Sequence, residues 1–363
     1  MENLDQISKI VVKVSTSEGS GSGFYIKSKN LIVTNHHVVA GQRFAAIEKQ
    51  DKSRYTAKVI MIDPRLDVAL LEPNVQLENM PDVQITQTNT LQNRDKVLVM
   101  GFPYGMSFTI TEGIVSSIKQ LVGNQDYIQT DSAINPGNSG GPLVSMNGEI
   151  LGITTSKLEN AESMGFAIPI ESIPKEFDIF QKNKDKLFSV VCPSCETLIF
   201  KQEDFCPNCG QSLNKKFFLE SRLNPLAQFV EEALKIIGID PTATRDGFDY
   251  WKFYKGSALI RVFVYKNEFL YVTCPLVVLP KTNLQDIFSY ILSSPLEEGF
   301  TFGLFSQENT IYLSYRVHLS DIENETFKEE IKNKIGKILK KSDEMDNFLI
   351  DKFSCEPSKH SKV

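Results

Sequence analysis

Residues 1–175 break into short runs rich in valine, isoleucine, threonine and aromatics: KIVVKVS, GSGFYIK, NLIVTNHHVV, RYTAKVIMI, DVALLEP, KVLVMGF, TEGIVSSI and GEILGITTS. Glycine, proline or asparagine separates them at short intervals. Branched and aromatic side chains pack well on a pleated surface, and the punctuating residues supply the backbone angles that turns need. Many short runs of this kind predict an all-β sandwich or barrel assembly.

The pattern changes further along the 363 residues, too many for one ordinary core. Residues 176–189 read as a charged helical connector, and 190–213 as a small cysteine module. Over 220–345 the order is helix, three strands, helix, two strands and helix, which predicts an α+β domain. In its first helix Leu226, Phe229, Val230, Ala233, Ile236 and Ile237 share a face, with Gly238 as the stop. Trp251, Tyr254 and Phe263 are expected in the core, Cys274 as a buried free thiol, and Ile331, Ile335, Ile338 and Leu339 as the inner face of the last helix. Residues 346–363 lack a core pattern and are expected to form a loose tail.

Composition excludes some roles. A formal charge of −6 weighs against nucleic acid as a partner. No stretch approaches the ~20 apolar residues of a membrane helix, so no membrane partner is expected. The opening MENLDQISKIVVKVSTSEGS lacks the basic and apolar regions of a signal peptide. All six cysteines lie at 192 or beyond, four of them in two Cys-x-x-Cys pairs, a pattern that suggests a reducing, cytoplasmic, bacterial setting. SEGSGSGF lacks G-x-G-x-x-G spacing and leads into a strand, so it is no dinucleotide loop.

TDSAINPGNSGGPLV sets Ser139 among Gly137, Gly140 and Gly141. Glycine is costly in ordered structure unless the backbone needs its freedom, so this is a tight loop whose amides face something. A serine hydroxyl needs an imidazole to take its proton, and the imidazole needs a third group to fix its tautomer. NLIVTNHHVV supplies His36 and His37, and DPRLDVALL supplies Asp63 and Asp67.

TNHHVV, DPRLDVALL and QTDSAINPGNSGGPLV resemble the three catalytic motifs of trypsin-like peptidases of the HtrA/Deg type. SGSGFYI, GFPYG, TEGIVSSI, GEILGITT and MGFAIPI are similar to that family's connecting motifs, in the same order. The resemblance covers residues 8–172 and implies a chymotrypsin-like pair of six-stranded β-barrels with the site between them. By motif position it implies His37 as general base, with His36 the competing histidine. It implies Asp67 as the orienting carboxylate, with Asp63 as a turn cap, and Ser139 as nucleophile. Gly137, Asn138 and Ser139 would form the oxyanion hole. Ala133, Ile134, Thr154 and Phe166 would line a neutral primary pocket suited to a small or medium aliphatic side chain before the scissile bond.

VVCPSCETLIFKQEDFCPNCGQSL spaces Cys192, Cys195, Cys206 and Cys209 as Cys-x2-Cys, ten residues, Cys-x2-Cys. Four thiolates can close a tetrahedral shell around Zn2+, a structural site with no open position. A redox dithiol or disulfides are the alternatives. The module resembles a short zinc ribbon. Lys201, Lys215 and Lys216 are too few to favour nucleic acid. The last domain resembles the type III secretion chaperone-like fold, including sensory-transduction regulators, which implies protein binding or self-association. The expected function is therefore a serine endopeptidase acting on proteins or peptides, with zinc structural and no catalytic cofactor. The alternative is an idle protease-fold adaptor.

Overall fold

Six antiparallel strands form the first barrel: β1 (Val11–Ser15), β2 (Ser20–Ile26), β3 (Leu31–Thr34), β4 (Phe44–Glu48), β5 (Arg54–Asp63) and β6 (Val68–Pro73). They run in the order β5-β4-β1-β2-β3-β6, and β5 pairs with β6 to close the ring. Val12, Val14, Tyr25, Ile32, Ile47 and Val59 fill its interior. Their strand neighbours Val11, Phe24 and Val33 turn outward, as the two-residue period requires.

A second closed barrel comprises β7 (Lys96–Gly101), β8 (Thr109–Val122), β9 (Gln125–Thr130), β10 (Pro142–Ser145), β11 (Ile150–Thr155) and β12 (Gly165–Pro169). Val97, Val99, Val115, Ile128, Leu143, Leu151 and Ala167 occupy its centre. The outward side chains of both barrels share one further core with helices α1 (Glu2–Ile10) and α2 (Ser172–Phe180), through residues such as Phe24, Met100, Phe102, Ile168, Ile173 and Phe177. Burial on both faces explains why strands such as KVLVM and VALL read as unbroken apolar runs. The expected pair of six-stranded barrels is present.

This computed structural model describes residues 2–85, 91–155 and 164–361. It divides into two units, 1–222 and 223–363. The cysteine segment belongs to the first. Strand β13 (Ser189–Val191) lies parallel to the second half of β5, with Ser189 opposite Met61 and Val190 opposite Ile62. Strand β14 (Leu198–Ile199) returns antiparallel to β13.

Helix α2 buries a carboxyl group that the apolar pattern does not announce. Glu176 is fully buried, and neither carboxylate oxygen has a hydrogen-bond partner among the described residues. Burial, then the nearby Asp63 and Glu196, pushes its pKa up to about 8, against the pull of Arg65 and Lys175. A carboxyl raised above its ordinary value holds its proton only in the folded state, so stability falls as pH rises from about 4.5 to about 8. The linkage amounts to roughly 3–5 kcal/mol. Glu176→Gln should remove that decline: thermal melts from pH 5 to 9 should flatten, with the variant more stable than the wild type above pH 8. Parallel pH profiles would contradict a neutral Glu176.

The second unit contains α3 (Pro225–Ile236), α4 (Pro241–Thr244), β15 (Tyr250–Lys255), β16 (Ala258–Tyr265), β17 (Phe269–Val278), α5 (Leu284–Ser293), β18 (Phe300–Phe305), β19 (Thr310–His318), α6 (Leu319–Glu323), α7 (Glu325–Phe353) and β20 (Glu356–Pro357). Its antiparallel sheet runs β15-β16-β17-β19-β18. Trp251, Val262, Val272 and Leu313 pack with Phe229 and Val230 of α3 and with Ile331, Ile335 and Ile338 of α7. Cys274 is a buried free thiol, and burial pushes its pKa up to about 12.

Three expectations are corrected here. Tyr254 and Phe263 are half-buried, and Phe263 stacks between Tyr250 and Tyr271 at 5.9 and 5.8 Å on the face opposite Trp251. Ile236 is 62% exposed, and Leu234 takes the inward position. Nor is 346–363 a loose tail. Helix α7 continues to Phe353, burying Met345, Leu349 and Phe353 one turn apart, and β20 then pairs with β17. Phe348 and Ile350 flank Leu349 and blur the every-fourth-residue row of Met345, Leu349 and Phe353 in the sequence, and the last two residues lie outside the described residues.

Candidate active site

Strand β3 ends at Thr34, and His36 caps a single helical turn at His37–Val39. His36 packs edge-on against Phe217, with centroids 5.4 Å apart. His37 places Nδ1 2.8 Å from Asp67 Oδ2, and its backbone N–H donates to Asp67 Oδ1 at 3.0 Å. An ionised carboxylate offers only acceptors, so a ring nitrogen at this distance carries the proton. That tautomer leaves Nε2 as the acceptor.

Asp67 is almost wholly buried and has a left-handed backbone (φ 59°), a conformation costly for a residue with a side chain. Its surroundings over-determine it. The carbonyl accepts from His36 N–H at 3.1 Å and Asn35 Nδ2 at 3.0 Å, and Thr155 Oγ1 donates to Oδ2 at 3.3 Å. Asp63 has a different job: it accepts from the backbone amides of Arg65 and Leu66 and pairs with the Arg65 guanidinium, capping the turn.

The serine loop is welded to both barrels. Ser22 N–H donates to the Ser139 carbonyl at 2.8 Å, and Ser22 Oγ donates to the Gly137 carbonyl at 2.7 Å. Thr154 Oγ1 donates to the Asn138 carbonyl at 2.7 Å. Gly137 (φ 99°) and Gly140 (φ 87°) both have backbone angles that disfavour a side chain. A Cβ on Gly137 would strike the Phe102 carbonyl, and one on Gly140 would strike the Ser22 carbonyl and Thr34 Oγ1. Gly140 thus lets strand β2 approach the loop.

His37, Ser139 and Gly137 line one cavity of about 490 Å3, together with Thr16, Glu18, Ser20 and Ser221. Of the three residues expected to face an oxyanion, Asn138 is committed elsewhere: its amide donates to the Asn135 carbonyl at 2.9 Å. The Gly137 amide has no acceptor among the described residues.

None of the expected primary-pocket residues lines this cavity. Ala133 is exposed, and Ile134 packs against the second barrel's core. Thr154 is buried with its hydroxyl spent on the serine loop. Phe166 lies between the barrels, edge-on to Tyr127 at 6.1 Å, because alternation along β12 turns it away from the barrel interior that holds Ala167.

The four cysteines meet. Their Sγ atoms all lie within 4.8 Å of one another, with Cys192–Cys209 at 3.8 Å and Cys195–Cys206 at 3.6 Å. Tetrahedral sulfurs about 2.3 Å from a metal are about 3.8 Å apart. Both Cys-x2-Cys turns share one design: Glu196 N–H donates to the Cys192 carbonyl, and Gly210 N–H donates to the Cys206 carbonyl.

Residues 21–153 match the family described as Trypsin-like peptidase domain. A protein named serine protease HhoB from Synechocystis sp. is 40% identical over 175 residues, covering 46% of this chain and 42% of that protein. A protein named as a DegP-like periplasmic serine endoprotease from Pseudomonas putida is 42% identical over 161 residues, covering 43% and 33%. Among solved structures, an HtrA-type protease with a tripeptide matches at 30% identity and a TM-score of 0.45, covering 49% of this chain and 62% of that one. The chain thus spans less than half the length of these curated relatives.

The cytoplasmic setting expected from the sequence is corrected by relatives such as the Pseudomonas putida protein, whose name places it in the periplasm. Cysteines that can gather in one cluster need not form disulfides in either setting. Paired Cys-x2-Cys turns therefore do not assign a compartment.

Proposed function

We propose that this chain, whose residues 21–153 match the trypsin-like peptidase domain family, is a serine endopeptidase in which Ser139, His37 and Asp67 act together. The observation that carries this reading is the 2.8 Å contact from His37 Nδ1 to a buried Asp67, with the imidazole in the same cavity as Ser139. Asp67 holds the imidazole in one tautomer, and Nε2 takes the proton as Ser139 Oγ attacks the peptide carbonyl. The same nitrogen returns the proton to the departing amine, and water then cleaves the acyl-enzyme. The Gly137 and Ser139 amides receive the oxyanion, each such donor contributing about 3 kcal/mol in the transition state.

The primary pocket, built around Ala133 and Ile134, takes a small or medium aliphatic side chain. The four thiolates fit a structural Zn2+, which would brace the segment between β13 and residue 213. The second unit, with its half-buried Tyr250–Phe263–Tyr271 stack, recruits protein substrate.

Incubating the chain with an unfolded protein and mapping the new termini by mass spectrometry tests the reading. Cuts should follow valine, alanine or similar residues and be absent with Ser139→Ala. A clear preference for arginine would sink the pocket assignment. A chain that neither cuts nor takes up a fluorophosphonate would be an adaptor.

A further inference from the structure

The segment after the fourth cysteine packs against the first barrel beside His37. Asn214 caps a short turn at Lys215–Phe218, accepting from Lys216 N–H. Phe217 sets its edge on His36, the neighbour of His37. Phe218 packs against two cores at once, the cysteine cluster with Ile199 and Leu213, and the interior of the first barrel. Its carbonyl accepts from Arg43 Nη2 at 2.6 Å, and that guanidinium lies 3.6 Å over the Phe188 ring. Ser221 N–H then donates to the Gly41 carbonyl at 2.7 Å, with the Ser221 side chain close against Gly41.

Ser221 consequently lines the cavity that holds His37 and Ser139. Ala133, Ile134, Thr154 and Phe166 are all absent from that lining, so this cavity and the pocket proposed for the residue before the scissile bond are separate spaces. A peptide attacked by Ser139 extends both ways from the cut bond, which leaves this cavity for the departing half. Its walls are mixed: the hydroxyls of Thr16, Ser20 and Ser221 and the carboxylate of Glu18 stand beside Val38, Ala40 and Pro136.

We propose that the strap Phe217–Arg222 is a substrate wall on the leaving-group side of the cleft, and that Ser221 is a specificity-determining residue there. It admits small residues after the scissile bond and excludes bulky ones. The anchor for the wall is the cysteine centre, through Phe218. This inference rests on the serine-peptidase reading, since a wall has a selective role only if a peptide is cut beside it.

The test uses the full chain and a set of quenched peptides that differ only in the two residues after the cleaved bond. Wild type, Ser221→Thr and Ser221→Phe are compared, each normalised to its own rate of fluorophosphonate labelling, a reaction that needs no residues beyond the scissile bond. The expected result is a graded narrowing. Ser221→Phe should lower kcat/KM at least tenfold for peptides with large residues after the bond, relative to glycine, and Ser221→Thr should fall between. Identical profiles across the three labelled proteins would overturn the wall and leave the peptidase standing. A wild type that takes no label would overturn the peptidase reading itself.

Discussion

Replacing Ser139 with alanine should lower kcat for peptide hydrolysis by about a million-fold while leaving the fold intact. The loop carrying Ser139 is fixed by backbone groups that alanine retains: the Ser139 carbonyl still accepts from Ser22, Asn138 still donates to Asn135, and Gly141 still donates to Asn138. Only the nucleophilic oxygen goes. Stability should therefore change by less than about 1 kcal/mol, and a melt of the variant separates lost chemistry from lost structure. Asp67→Asn should cost less, about 10^4-fold, because it removes the preference for the productive tautomer and not the nucleophile. A Ser139→Ala enzyme that keeps kcat within about a hundredfold of wild type, far above the residual rate that binding and the oxyanion hole alone sustain, would contradict the role given to this side chain.

The second large effect concerns the four cysteines. Their own apolar support is small, comprising Cys192, Ile199, Cys206 and Leu213, with Cys195 and Phe218 at its edge. A core of that size cannot offset the entropy of ordering two turns. A bound zinc ion contributes on the order of 10 kcal/mol in such modules. The chain should therefore contain one zinc per molecule by elemental analysis, and Cys206→Ser should lose it. Hydrogen exchange should then rise across 190–222, including the strap, while β1–β12 keep their protection. Peptide cleavage should shift with it, because Phe218 joins the cysteine cluster to the barrel beside His37. Protection unchanged after loss of Cys206 would contradict a metal-held segment.

Much of this was legible because each piece carries a local signature. Short β-branched runs between turn residues gave both barrels. His37, Asp67 and Ser139 each sit in a distinctive local context, so the structure had only to bring them to one cleft. The strap was not legible: KKFFLESR has no strand or helix period, and its partners His36, Gly41 and Arg43 lie far back in the chain. Phe166 was misplaced because its face on β12 depends on register, and a one-residue difference moves a side chain to the opposite face. The use of the Asn138 amide was hidden for a related reason, since turn hydrogen bonds follow from backbone angles that a residue string does not specify. The end of α7 was missed because Phe348 and Ile350, on either side of Leu349, blur the row formed by Met345, Leu349 and Phe353.

The most direct measurement is kcat for the His37→Ala, Asp67→Ala and Ser139→Ala variants singly and combined. Groups that pass one proton around a single reaction lose their effect together, so the triple variant should be no slower than Ser139→Ala alone. Losses that multiply, each variant adding its own factor, would mean the three side chains act independently.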